Sequence, residues 1–315
     1  VTRYQKGIQT IIHDCLGTSK GERAIVICDK PKRKIGADLF DALVGAEAEA
    51  VFCEIIPRKQ HSQEPPKYVA DLLRSADVFL IPTSKSMTHT QARRKAVANG
   101  ARGATMPDVT EEMIARTMSA DYAEIHKRTL KLARILAGAK RIHITTKKGT
   151  DVEIVTEGRK FWLDTGVLTK PGAFSNLPAG EAYIATLEGK SSGVVVFDAS
   201  FAGIGMLSAP ITIQIERGRA TKIKGDRGKL RRMLDAAGSK GRNLAELGIG
   251  TNERARITGN VLEDEKVMGT IHLAFGDNST FGGKVKVDVH LDGLILKPTV
   301  VADGREIMKN GRLLA

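Results

Sequence analysis

Three short apolar runs, RAIVICD (23–29), AVFCEII (50–56) and DVFLIPT (77–83), recur in the first third of the chain. Runs this uniformly apolar suit strands that are covered on both faces. The stretches between and after them, ADLFDALVGAEAE, PPKYVADLLRSA and THTQARRKAVANG, are amphipathic in the helical sense and supply that cover. Strand–helix alternation of this kind implies a doubly wound parallel sheet, so residues 1–118 read as an α/β domain. The first strand runs into CDKPKRKIG, which is rich in lysine and has no glycine fingerprint, so no dinucleotide site is expected there.

From Met118 the rhythm changes. SADYAEIHKRTLKLARILAGA is a long amphipathic helix with Ile125, Leu130, Leu132 and Leu136 on its apolar side. It is followed by strand-like segments RIHITT, DVEIVTEG, KFWLDTG, EAYIATLEG, SGVVVFDAS and ITIQIERG, a helical stretch around DRGKLRRMLDAAG, and more strands. Residues 119–315 therefore read as a β-rich α+β domain. With 315 residues, both domains have enough chain for cores of their own.

Several function classes are excluded or set aside. The longest uncharged stretch, Ala199 to Ile215, is too short to span a membrane and is broken by Gly203, Gly205 and Pro210. VTRYQKGIQTIIHDC lacks the continuous apolar core of a signal peptide. Three cysteines cannot all pair, and Cys28 and Cys53 lie in apolar runs, as expected of a cytoplasmic protein. The net charge of +13 raises the question of nucleic acid. Yet Lys and Arg are scattered, apart from KPKRK (30–34) and a basic run at 217–232. Aromatic content is only 4%, so a stacking RNA surface is not expected. A basic nucleic-acid-binding protein is kept as a third alternative.

The second half carries four glycine-turn segments that each present a metal-capable side chain. They are NLPAGE (176–181) with Glu181, ELGIGTN (246–252) with Glu246, GTIHLAFGDN (269–278) with His272, and VHLDG (289–293) with His290 and Asp292. The strand period of two puts His290 and Asp292 on one face. Each residue alone has an ordinary structural explanation: a solvated glutamate after a turn, or a hydrogen-bonded histidine in a strand. Together, two imidazoles and three carboxylates are the ligand types for divalent Zn, Mn, Co or Fe(II). No zinc-finger spacing or HExxH appears.

In this order, NLPAGE, ELGIGTN, HLAFG and HxD resemble the aminopeptidase T and S family of metallo-aminopeptidases. DYAEIHKRTLKLARILAGAKRIHITTKKGTDVEI is similar to that family's helix–strand lead-in. Relatives with the same fold include 2,5-dihydroxypyridine dioxygenases, non-haem iron enzymes that open a pyridine ring. The resemblance implies an α/β domain followed by a β-rich metal domain, a homodimer, and metal ligands at Glu181, Glu246, His272, His290 and Asp292. Three carboxylates and two neutral imidazoles suit two divalent ions (Zn, Co or Mn) around a bridging water. The leading expectation is thus an aminopeptidase-like hydrolase acting on peptide N-termini, with Glu253 or Glu263 among the candidates for proton shuttle. The alternative is a ring-cleaving dioxygenase with one Fe(II) on His272, His290 and Asp292, acting on a small molecule. One departure bears on the choice: the family's HLAFGSAY tyrosine is replaced, since HLAFGDNS places Ser279 there, with Asn278 or Lys297 as possible substitute donors.

A second candidate lies in the first half, where PTSKSMTHTQARRK (82–95) follows the third strand. There His89, with Thr83, Ser84 and Thr88, could contact substrate, and helix capping is the structural alternative. His13, His61, His126 and His143 have no comparable context.

Overall fold

The computed structural model describes residues 1–226 and 228–314; Arg227, within the basic run and the helical stretch noted above, and Ala315 lie outside it. The chain forms two compact units, residues 1–126 with 165–179, and residues 127–164 with 180–315.

The first unit is built on a five-stranded parallel sheet in the order Glu49–Ile55, Arg23–Asp29, Val78–Ile81, Arg102–Thr105, Phe174–Asn176. The three apolar runs supply the first three of these strands. The other two, RGAT and FSN, are too short and too polar to stand out by composition. Helices Arg33–Gly45, Lys67–Ser75, Gln91–Ala98 and Glu111–Thr117 lie between or after the strands. Val69 and Leu73 of the second helix and Ala92 and Ala96 of the third share a core with Ile25, Ile27, Phe79 and Ile81. Thr90 caps the third helix by accepting a hydrogen bond from the Arg93 amide.

The second unit contains two antiparallel sheets. One has eight strands and runs from Arg219–Lys224 at one edge to Arg312–Leu313 at the other. The other has seven, in chain order β1 (Trp162–Asp164), β2 (Glu181–Ala185), β3 (Ser200–Phe201), β4 (Gly205–Met206), β5 (Leu244–Gly250), β6 (Thr270–Gly276) and β7 (His290–Leu296). Their spatial order is β4-β3-β7-β6-β5-β2-β1. The protein is thus an α/β unit with a β-rich α+β unit. Leu247, Ile249, Ile271, Leu273, Phe275 and Ile295 from the seven-stranded sheet join Ile142, Ile144, Val195, Phe197 and Ile213 from the eight-stranded sheet in one hydrophobic core. One face of the seven-stranded sheet is thereby committed to packing, and the other is free to carry polar groups.

Among the described residues, no helix is long and apolar enough to cross a membrane. None of Cys15, Cys28 and Cys53 is in a disulfide.

A largely buried ion pair in the first unit joins Arg102 to Glu22. Arg102, at 8% side-chain exposure, grips both carboxylate oxygens of Glu22 at 2.7 and 2.8 Å and also donates to the Leu16 and Gly17 carbonyls. That hydrogen bonding holds the Glu22 carboxyl below its ordinary 4.5, against the opposing effect of burial. Arg102→Met is expected to cost about 2–4 kcal/mol in urea unfolding at neutral pH, because it strands the carboxylate and two carbonyls. The depressed Glu22 value means its contribution is present above 4.5 and is lost as pH falls through the lowered folded value. Glu22→Gln should therefore flatten the acid limb of the stability curve, and an unchanged limb would refute this role.

Candidate metal centre

The register of the seven-stranded sheet decides which side chains meet. Glu246 of β5, Ala274 of β6 and Asp292 of β7 form one cross-strand row, and Gly248, His272 and Leu294 form the next. His290 pairs with Gly276, while Glu181 of β2 pairs with Gly250 on one side and Asp164 of β1 on the other. Opposite residues in an antiparallel pair share a face, so Asp164, Glu181, Glu246, His272, His290 and Asp292 all emerge on the side away from the core.

Two local devices make this possible. Leu244 and Glu246 are two apart, yet Leu244 is in the core and Glu246 is on the polar face. A register shift between them, with Leu244 opposite Phe275 and Glu246 opposite Ala274, is a β-bulge that re-aims the carboxylate. The glycine of the next row is equally specific: a Cβ on Gly248 would lie 2.0 Å from Cε1 and Nε2 of His272. The imidazole lies across bare backbone, where no other residue leaves room. Gly180, at φ +129, likewise brings its backbone against Asn252 and sets the entry of β2 just before Glu181.

Glu246, His290 and Asp292 place one ligand atom each within 4.8 Å of one another, and they are the one such group of His, Cys, Asp or Glu among the described residues. His290 Nε2 is 3.3 Å from Glu246 Oε2 and 3.4 Å from Asp292 Oδ1. Its other nitrogen, Nδ1, hydrogen-bonds the Asp277 carbonyl at 2.7 Å, which fixes the ring and leaves Nε2 toward the carboxylates. His272 Nε2 reaches Glu246 Oε1 at 3.3 Å and comes within 3.4 Å of Glu181 Oε2. His272 Nδ1 and Glu181 Oε2 are buried without hydrogen-bond partners. Buried oxygen and nitrogen donors of this kind, two of them unsatisfied, fit a cation-binding role.

The charges are strongly coupled. Burial opposes the charged form of His290, but Asp292 and Glu246 hold its protonated state well above the ordinary 6.5. Burial opposes protonated His272 as well, and the Glu246 hydrogen bond with the nearby carboxylates lifts it to about 9. Asp292, despite burial, is pulled down to about 2 by the two imidazoles. Glu246 is lowered too, since hydrogen bonds from both histidines outweigh its burial.

Of the residues marked in the sequence, the structure gathers Glu181, Glu246, His272, His290 and Asp292 around one face. Ser279 is exposed, and its hydroxyl bonds the Asp277 carboxylate. Asn278 is bound to Glu188 and the Val285 amide, and Lys297 is exposed beyond the far end of β7. Glu253 pairs with Arg128 at 2.7 Å, and Glu263 accepts from the Arg256 amide. His89 belongs to the other unit, where it is exposed beside the Thr90 cap. Thr88 there bonds Thr105 and Asn176, and Ser84 bonds Asp29. Sequence reasoning missed Asp164, Glu265 and Lys266. Lys266 Nζ, fully buried, donates to Glu181 Oε1 at 2.5 Å and Glu265 Oε2 at 3.0 Å, and stands 3.5 Å from Asp164 Oδ2. Burial lifts Glu265 to about 8. The available signal was a lone lysine in the acidic run LEDEK, a pattern that ordinarily marks a solvated turn.

The family described as NicX: 2,5-dihydroxypyridine 5,6-dioxygenase matches residues 17–315. A curated 2,5-dihydroxypyridine 5,6-dioxygenase from Pseudomonas putida is 22% identical over 266 residues, covering 77% of this chain and 72% of the relative. The solved structure of 2,5-dihydroxypyridine dioxygenase from Pseudomonas putida KT2440 aligns over 100% of this chain and 98% of its own, at TM-score 0.84 and 18% identity. Wild-type AmpT from Thermus thermophilus aligns over 99% of both chains, at TM-score 0.75 and 19% identity. At these identities the two structures show a shared fold. The family and curated matches overturn the expected aminopeptidase-like hydrolase, and with it the protease reading and peptide substrates. The physical sign of that correction is the absent tyrosine, since the Ser279 hydroxyl is bound to Asp277.

Gly248→Ala should push the His272 ring aside and cost about 1–3 kcal/mol, whereas Gly45→Ala, facing open space, should be neutral or stabilising. Equal effects in urea unfolding would refute the close approach. In metal-stripped protein, the raised His272 value gives a stabilising contribution fully present below 6.5 and lost as pH rises through about 9. An NMR titration placing the imidazole midpoint near 6.5 would contradict it.

Proposed function

Because this chain belongs to the NicX family of 2,5-dihydroxypyridine 5,6-dioxygenases, we propose that it is a mononuclear non-haem iron dioxygenase that opens a hydroxylated pyridine ring. The observation that carries this reading is the three-residue donor set of Glu246, His290 and Asp292, the one such set among the described residues. Three protein ligands with positions left open is the arrangement of oxygen-activating non-haem iron sites. The usual facial set has two imidazoles and one carboxylate; here Glu246 completes the set, and His272 hydrogen-bonds to Glu246 beside it. One iron replaces the two Zn, Co or Mn ions expected from the charge count. A ferrous ion held there supplies the one-electron chemistry through which dioxygen reacts with a closed-shell ring.

The chain's own residues do the rest. His290 is held in one orientation by the Asp277 carbonyl. Phe281 stands edge-on to His290 at 5.8 Å, and Tyr183 edge-on to Phe281 at 5.6 Å. Such an aromatic wall favours a flat substrate ring over an extended peptide. His272, buried and hydrogen-bonded to Glu246 beside the donor set, is the group proposed to exchange a proton with a ring hydroxyl. A homodimer in a reducing compartment, implied by the resemblance and by three cysteines outside any disulfide, completes the proposal.

Protein purified anaerobically and loaded with Fe(II) should contain one iron per chain. It should consume dioxygen as the absorbance of 2,5-dihydroxypyridine disappears. His290→Ala and Asp292→Ala should each lose iron and reduce kcat/KM at least about 100-fold, in line with lost metal ligation. Full iron loading with no oxygen uptake on any hydroxypyridine would refute the reaction, and unaltered iron content in both variants would refute the ligands.

A further inference from the structure

Lys266 is among the largest fully buried side chains of the protein, and its charge lies among carboxylates rather than in water. Its ammonium touches Glu181 and Glu265 and lies 3.5 Å from Asp164. Glu181 in turn comes within 3.4 Å of His272, which hydrogen-bonds Glu246 of the donor triad. The lysine is also pinned by its backbone. Its N–H donates to the Glu263 carbonyl at 2.9 Å, and its carbonyl accepts from the Asn252 amide at 2.8 Å. With no exposed surface and both backbone groups bound, the side chain has no short path into solvent.

Buried carboxylates require a cation among them. Asp164, Glu181 and Glu265, with His272 alongside, are hard oxygen donors and one imidazole, a set that would also suit a divalent ion. We infer that the Lys266 ammonium is a built-in cation standing where a second metal ion would otherwise bind, so that the centre is mononuclear by construction. This rests on Glu246, His290 and Asp292 being the metal triad. The carboxylates are spaced for an ammonium, with contacts of 2.5–3.5 Å, longer than the roughly 2.0–2.2 Å of a small divalent ion. An incoming ion would meet both the volume of the Nζ group and its positive charge. Removing the side chain vacates the position and leaves the carboxylates to draw together around a replacement cation.

The test counts ions, not turnovers. Wild type, Lys266→Ala, Lys266→Met and Lys266→Arg are each equilibrated with Mn²⁺, dialysed, and measured by elemental analysis and calorimetric titration, with thermal unfolding in the presence and absence of Mn²⁺. Wild type and Lys266→Arg should hold one ion per chain and Lys266→Ala two, and Mn²⁺ should raise the Tm of the alanine variant more than that of wild type. Lys266→Met, which keeps the volume but not the charge, should bind the extra ion more weakly than Lys266→Ala. A neutral variant that folds only when Mn²⁺ is supplied also supports the inference. Equal counts in wild type and Lys266→Ala overturn it, as do two ions in wild type or neutral variants that Mn²⁺ does not restore to a folded state. The triad is judged separately by the wild-type count. A count of zero that rises to one in Lys266→Ala would sink the triad and keep the role of Lys266.

Discussion

Five carboxyl groups crowd one buried region of the seven-stranded sheet and its flanking turn: Asp164, Glu181, Glu246, Asp292 and Glu265, the last lifted to about 8 by burial. Burying so much negative charge without partners would cost more than a domain's whole stability. The structure answers with three basic groups on the same side, His272, His290 and Lys266, each within 3.5 Å of at least two of those carboxylates. The opposing charges explain why Asp292 is held near 2 while His272 is lifted to about 9. Each group's preferred state is set by its neighbours, so the cluster acts as a unit. A cation added at the triad competes with protons already on the imidazoles.

The fold makes this arrangement affordable by separating the two faces of one sheet. Leu247, Ile249, Ile271, Leu273 and Phe275 secure the strands against the second sheet. The alternate positions are therefore released from packing duty. They divide into long polar side chains and small residues, with Gly248, Gly250, Ala274 and Gly276 standing opposite His272, Glu181, Asp292 and His290. Bulky residues in those places would fill the space that the functional groups occupy. The bulge before Glu246 breaks the strict alternation at one point, which lets the same strand supply Leu244 to the core and Glu246 to the site.

The degree to which this was legible in the sequence follows from the range of the interactions. Apolar runs and the change of rhythm depend on neighbouring residues, so the parallel sheet and the β-rich second half could be read directly. RGAT and FSN could not, because their strand state comes from the partners they pair with and not from their own composition. His290 and Asp292 were visible as a pair because period two is a local rule. Lys266, Glu265 and Asp164 were invisible for the opposite reason. They come from β1 and from the turn after the helix Val261–Asp264, and only the folded sheet brings them to Glu181. Nothing near Lys266 in sequence distinguishes it from a solvated lysine.

The choice between hydrolase and dioxygenase turned on the same blind spot. NLPAGE, ELGIGTN and HLAFG mark how the backbone is built, and a shared backbone can carry unrelated chemistry. Counting ligand-type residues along the chain gave a charge of about −3 and room for two divalent ions. That count omitted two carboxylates and, more importantly, a buried ammonium already bound to Glu181. A lysine differs from a metal ion in being covalently fixed and present at all times, so it removes a site from the exchangeable pool without changing the scaffold around it. Glu181 can therefore keep the position expected of a metal ligand while neutralising a side chain instead. The absent tyrosine and the resident lysine are independent departures from a two-metal hydrolase.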